Sequence, residues 1–273
     1  MLFLFYGKGE LEMPKGSRGG QGSNEHLGNY SGSGGYKGSV GSFPQKKNPF
    51  KPFKTYQKEF ASANDLQTLK KVLEDNGVVM SDKLENYIAS GSYPLHAAKS
   101  FMKGALLTMS HYGAGEQFVG FGAFDSSRSG TLAQYSYLGV VGEQAKGNIS
   151  VNISHPASRG KGIYGTGAHE AYHQVEALMG DRKGITSAKY SESVMKDVYR
   201  KWASNKANQS SGNIKTDVST HISSYGATNN KEALSEAMKN VANKGHKAST
   251  LSKDIYKYVK ADQETCKHLY GRR

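Results

Sequence analysis

The hydrophobic period of this chain changes twice along its length, and that restricts the folds open to it. From about residue 64 to 109, apolar residues recur at helical spacing. Leu66, Leu69, Val72 and Leu73 form one stripe, with Asn64 as the expected N-cap and Asn76-Gly77 as the stop. Ser81 is placed to cap a short helix carrying Leu84, Tyr87 and Ile88. A third helix is expected from about Pro94 to Met109, with Leu95, Ala98, Met102, Ala105, Leu106 and Met109 on one face. The period then drops to two. Residues 118–124, 132–141 and 148–153 read as strands between Gly and Ser clusters, although Gly120 and Gly122 weaken the first. In the last, Ile149, Val151 and Ile153 share one face, and Asn148, Ser150 and Asn152 the other.

Helical spacing returns after residue 166. Val194, Val198 and Trp202 make one stripe, Leu234, Ala237, Met238 and Val241 a second, and Leu251, Ile255, Tyr258 and Val259 a third. Residues 205–213 are polar and read as a loop. Helices, then a small sheet, then helices predict an α+β fold. Cys266, the single cysteine, lies in the last helical pattern, where a partly buried structural thiol is expected.

Ahead of the periodic region the chain is different in kind. Of 273 residues only 36% are hydrophobic, and many of the 33 glycines crowd the N-terminal stretch. Such a stretch loses more entropy on ordering than burial returns, so residues 1–58 are expected to be a disordered basic arm and 59–273 the folded domain. The arm ends in the run Lys46-Lys47-Asn48-Pro49-Phe50-Lys51-Pro52-Phe53-Lys54, read as a linker rather than a nucleic-acid contact. The net charge of +13 suggests an acidic partner. Its lysines are dispersed through the helices, however, and no nucleic-acid module is visible, so nucleic acid is not the expected partner. No run reaches the roughly 18–20 apolar residues of a membrane span. The opening Met1-Leu2-Phe3-Leu4-Phe5-Tyr6 is too short for a signal-peptide core, which implies synthesis in the cytoplasm, with virion association or a specialised export route as further expectations.

The chemistry is concentrated in His169-Glu170-Ala171-Tyr172-His173. Histidines four apart share one face of a helix and can grip one ion through their ring nitrogens. Glu170 falls beside that ion, where it can take a proton from a water the metal has made acidic. Chance alone would produce this pattern with odds on the order of one in a hundred at these residue frequencies. Context strengthens it: Thr166 is a candidate N-cap, Gly180 a candidate stop, and Ala168, Tyr172, Val175 and Met179 give the helix an apolar face. With one cysteine, the metal must be held by nitrogen and oxygen, and an open tetrahedral site needs a third protein ligand. Glu232 opens a downstream helix and Glu236 follows one turn later on the same face, so either could reach the ion while the other accepts a ring N–H. His96, His155 and His221 lack such spacing and are expected to be surface or core histidines.

The segment Ser224-Tyr225-Gly226-Ala227-Thr228-Asn229, followed at fixed distance by Glu232 and then Glu236-Ala237, resembles the catalytic domain of anthrax lethal factor and related zincin metallopeptidases of toxins, phages and mobile elements. The resemblance covers residues 164–180 and 222–240. It implies a zincin-like domain with Zn2+ on His169, His173 and Glu232, Glu170 as general base, Tyr225 as the hydroxyl that steadies the oxyanion, and Glu236 in support of a histidine. The expected function is a zinc metalloendopeptidase acting on protein or peptide substrates, with a toxin or effector role as one setting. The alternative is a phage or mobile-element structural or delivery protein carrying an appended zincin domain. Zincins also place an edge strand upstream of the metal helix where substrate adds as a further strand, and residues 148–153 are the expected counterpart.

Overall fold

The computed structural model describes residues 51, 53–127, 130–138 and 146–270. Helices α1 (Gln57–Ser62), α2 (Leu66–Asp75), α3 (Asp82–Ala89) and α4 (Leu95–Tyr112) precede most of the sheet, with the two-residue strand β1 (Val79–Met80) between α2 and α3. Strands β2 (Phe118–Phe124), β3 (Ala133–Leu138) and β4 (Lys146–Asn152) follow, then α5 (Ile163–Lys183), α6 (Ser187–Ser204), α7 (Ile214–His221), α8 (Asn230–Lys244) and α9 (Thr250–Tyr270). The result is the expected α+β fold, mostly helical around a small mixed sheet. Among the described residues no helix is long and apolar enough to cross a membrane.

Local chemistry explains most of the boundaries. Asp65, not Asn64, caps α2, its carboxylate accepting from the Thr68 N–H at 2.8 Å, and Gly77 takes the positive φ of 73° that ends the turn beyond the helix. Ser81 caps α3 through the Leu84 N–H. Pro94 opens α4 and Gly113, at φ 62°, closes it. The expected boundary at 58/59 falls inside the packed unit: Phe53 and Tyr56 are buried in the core, their rings meeting edge to face at 5.4 Å. The arm upstream of residue 51 and the tail of the second expected strand, residues 139–141, lie outside the described residues. Residues 205–213 contain a short 3-10 turn, and α7, which the apolar spacing does not announce, follows at once with Asn213 as its cap.

The sheet runs in the order β1-β2-β4-β3, with β1, β2 and β4 parallel and β3 antiparallel to β4. This corrects one expectation. The strand of residues 148–153 lies inside the sheet, whose edges are β1 on one side and β3 on the other. The apolar side of the sheet meets α4, where Phe101 packs on Phe121 at 6.1 Å. Asn152, on the polar side, holds the β2–β3 connection, its amide donating to the carbonyls of Ser126 and Thr131 at 2.9 Å each.

Helices α4 and α5 cross at their closest through two reciprocal glycines. A Cβ on Gly104 would stand 1.9 Å from the Tyr164 carbonyl oxygen, and one on Gly167 would stand 2.0 Å from that of Phe101. Only bare backbone fits there, so the crossing fixes the depth of α5 against its neighbour. Helices α6, α8 and α9 pack on α5 and on one another. Thus α5, which carries both histidines, lies against the sheet edge, α4 and α8.

Candidate metal centre

Helix α5 begins at Ile163 after Gly162, with no side-chain cap, so Thr166 lies within the first turn rather than capping it. It also runs past Gly180 to a left-handed Gly184. Gly180 is absent a side chain for packing reasons, since a Cβ there would meet the Ile185 carbonyl at 2.8 Å. The expected apolar face is fully buried at Ala168, Tyr172, Val175 and Met179. That burial turns the opposite surface, with His169 and His173, toward α8.

Helix α8 is aimed by its N-terminus. Asn229 accepts from the Glu232 N–H at 3.0 Å, fixing the first turn. Just upstream, Ser223 Oγ accepts from the Gly226 N–H at 2.9 Å, and Gly226 sits so close to α8 that a Cβ would lie 3.3 Å from that of Glu236. This turn presents Tyr225, 47% exposed, with its ring 6.0 Å from that of His169.

The carboxylate of Glu232 reaches between the two imidazoles. Its Oε2 lies 3.1 Å from Nε2 of His169 and 3.8 Å from Nε2 of His173. One ligand atom from each of these three residues falls within 4.8 Å of the others, a grouping that could hold a metal ion. The far ring nitrogens face carboxylates as well. Glu236 Oε1 is 3.0 Å from Nδ1 of His169, and Glu176 Oε2 is 2.9 Å from Nδ1 of His173. The sequence reading places Glu236 here but misses Glu176, whose position three residues after His173 is the signal that could have found it. Ser235 Oγ adds a contact to Nδ1 of His173 at 3.2 Å. Glu176 is itself completely buried, its other oxygen accepting from Ser191 Oγ at 2.9 Å.

Two observations show that a cation fits. Glu232 Oε2 is buried and completes no hydrogen bond of good geometry, which is costly for a carboxylate unless an ion takes its lone pair. Furthermore, Glu170, Glu176, Glu232 and Glu236 are all buried around two imidazoles, and the Lys239 ammonium, 2.8 Å from Glu236, answers one of them. Burial alone would lower the His169 pKa, but the carboxylates of Glu232 and Glu236 outweigh it and raise it to about 10. Burial likewise works to raise Glu232, and the two histidines overcome it and bring that carboxyl to about 2.

Glu170 stands apart from the three ligand atoms. Desolvation raises its pKa above the ordinary carboxylate value, against the histidines and the nearby Tyr135 backbone on β3, which act in the other direction. Tyr225 is also raised, by burial and then by Glu232, Glu170 and Glu236, so its hydroxyl keeps its proton. His155 and His221 lie elsewhere: His155 accepts from the Ala157 N–H, and His221 packs edge-on against Trp202. Cys266 is buried, as expected of a structural thiol. No protein-family model, curated protein or solved structure matches the chain.

Proposed function

We propose that this chain is a zinc-dependent metalloendopeptidase with a zincin-like catalytic domain, of the kind implied by its resemblance to lethal factor. The observation that carries the reading is the convergence of His169, His173 and Glu232 on one point, with Glu170 beside it and Tyr225 above it. His169, His173 and Glu232 would hold the ion. When bound, zinc supplies Lewis acidity toward a water and a peptide carbonyl. Everything else is work for the chain's own groups. Glu170 takes a proton from the attacking water and delivers it to the leaving amine, and its desolvated, raised pKa favours holding that proton in between. Tyr225 donates its hydroxyl proton in a hydrogen bond to the oxygen that becomes negative, an interaction formed only as charge develops. Glu236 and Glu176 orient the two rings from behind.

Substrate would lie extended along β3. In an antiparallel pair, residues alternate between bonding inward and facing outward. The Asn152 N–H donates to the Leu132 carbonyl, so in this register Gln134 and Ser136 bond to β4 while Ala133, Tyr135 and Tyr137 turn their backbone groups to the open edge. That row of donors and acceptors beside Glu170 suits a peptide strand, which makes a protein or peptide the partner class. The test is hydrolysis of a quenched-fluorescence peptide library by zinc-loaded protein beside Glu170→Gln. Turnover should fall by roughly 10²–10⁴ in the variant with its zinc retained, and equal turnover in both would remove Glu170 as the base.

A further inference from the structure

We propose that the end of the molecule where α6, α8 and α9 meet is a surface for the phosphate backbone of double-stranded nucleic acid, bound without regard to base sequence. The proposal is independent of the metal centre. Along the sequence the cations look evenly spread, but the fold does not leave them so. Residues 53–127 carry 7 lysines against 8 acidic residues. Residues 146–266 carry 18 lysines and arginines against 11 acids, and five of those acids, Glu170, Glu176, Asp217, Glu232 and Glu236, are buried. The positive excess of these two stretches therefore lies on the surface of the C-terminal helices.

Two acid-free runs supply much of it. Residues 198–216 hold four cations and no acid, and residues 237–253 hold four lysines, His246 and no acid. The fold brings the two runs together. The indole N–H of Trp202, near the end of α6, donates to Thr250 Oγ1 at the start of α9 at 2.9 Å. Asn208, in the turn after α6, donates its amide to the Trp202 carbonyl at 2.8 Å and accepts from the Thr250 hydroxyl at 3.2 Å. Lys253 donates to the His246 carbonyl at 3.3 Å, which ties the first turn of α9 to the α8–α9 connection. Lys206, Lys244, His246 and Lys247 stand within a few residues of these contacts and are exposed. No ion pair joins Lys206, Lys244, Lys247 or Lys253 to a described acid.

Helix stability does not account for the placement. Cations suit the negative C-terminal end of a helix, which explains Lys244 in the last turn of α8. Lys247 and Lys253 instead flank the start of α9, the positive end, whose first turn holds no acid and has Asp254 just beyond it. The surroundings also select the kind of anion. A protein interface has an apolar centre, and a helix lying on a membrane has an apolar face. Among the described residues the exposed large hydrophobic side chains are Ile185 and Tyr225, and neither belongs to these runs. Stacking on unpaired bases needs exposed aromatic rings, which the runs lack as well. Regularly spaced phosphates, met by ammonium groups and by the polar side chains of residues 205–213, fit what is there.

Fluorescence anisotropy of short labelled DNA duplexes across about 50–200 mM salt tests this with the full chain. Two triple variants separate the surface from net charge. One is Lys206→Gln/Lys244→Gln/Lys247→Gln; the other is Lys58→Gln/Lys71→Gln/Lys103→Gln, equally exposed but on α1, α2 and α4. The wild type should bind duplexes of unrelated sequence alike, with log K falling against log salt at a slope of about −3 to −5, as three to five neutralised phosphates require. The first variant should lose about 2–3 from that slope and at least about 10-fold in affinity at ~100 mM salt, and the second less than about 3-fold. Equal losses in the two variants would reduce the binding to net charge. A wild type that leaves the duplex unbound, or that binds vesicles of phosphatidylserine and phosphatidylcholine more tightly than the duplex, would likewise overturn the proposal.

Discussion

Replacing Glu176 with glutamine separates what the buried carboxylate does for the metal from what it does for the fold. The change keeps shape and volume but removes a charge from a fully buried site whose partners are Nδ1 of His173 at 2.9 Å and Ser191 Oγ at 2.9 Å. In the proposed centre the carboxylate would make the His173 ring a better donor to a cation and hold Nε2 in the direction of Glu232. Losing such a partner typically weakens metal binding by about 10–100-fold, which is ~1.4–2.7 kcal/mol. The metal-free protein should respond in the opposite sense, or hardly at all. A buried carboxylate carries a desolvation cost that an amide avoids, so the melting temperature of zinc-free Glu176→Gln should match or exceed that of the wild type. Chelator-competition titration gives the first quantity and calorimetry of the stripped protein the second. An unchanged zinc affinity, or a large loss of stability in the zinc-free protein, would refute the assignment and make Glu176 an ordinary packing residue.

Other perturbations probe other links. Gly167→Ala should cost about 1–3 kcal/mol or more in stability, because the new Cβ would meet the Phe101 carbonyl at 2.0 Å and backbone cannot swing aside; thermal denaturation within 0.5 kcal/mol of wild type would show that the crossing yields. Tyr225→Phe should leave zinc binding intact and lower kcat far more than it changes KM, whereas a rise in KM alone would mark it as a binding residue. Burial works to raise the Asp217 pKa, but hydrogen bonds from Ser210, Ser211 and Tyr199 overcome it and lower it to about 2. Its folded pKa is therefore depressed, so its contribution is complete above the unfolded value near 4 and is lost as pH falls through about 2. Asp217→Asn should accordingly destabilise by about 1–3 kcal/mol at pH 7, and the gap from wild type should close below pH 3; a gap independent of pH would contradict an ionised Asp217.

What the sequence made legible was local. The bounds of β2 and the bulk of α4 follow from period and from Pro94, because those features act within a few residues, while the last turn of α4, closed by Gly113, went unread. That His169 and His173 share one face of a helix was likewise readable, since i, i+4 spacing places side chains on a helix face whatever the surroundings. Boundaries set by tertiary packing were not. Thr166 looked like a cap and Gly180 like a stop, yet α5 passes through both because Gly162 starts it and Gly180 is packed against Ile185. The edge position of β3 could not be read either, because strand order depends on pairings between distant segments. Phe53 sat in what read as a basic linker, and only its burial beside Tyr56 and Phe60 shows that the fold begins there.

Zinc titration of the stripped protein, with Glu232→Ala and Glu236→Ala alongside, tests the central claim most directly. The wild type should bind one zinc per chain, as three protein ligands and one open position require. Affinity should rank wild type tightest, Glu236→Ala weaker by about 10–100-fold, and Glu232→Ala weakest, because the last removes the oxygen that lies between the two rings. A stoichiometry near zero, or Glu232→Ala binding as tightly as the wild type, would contradict it.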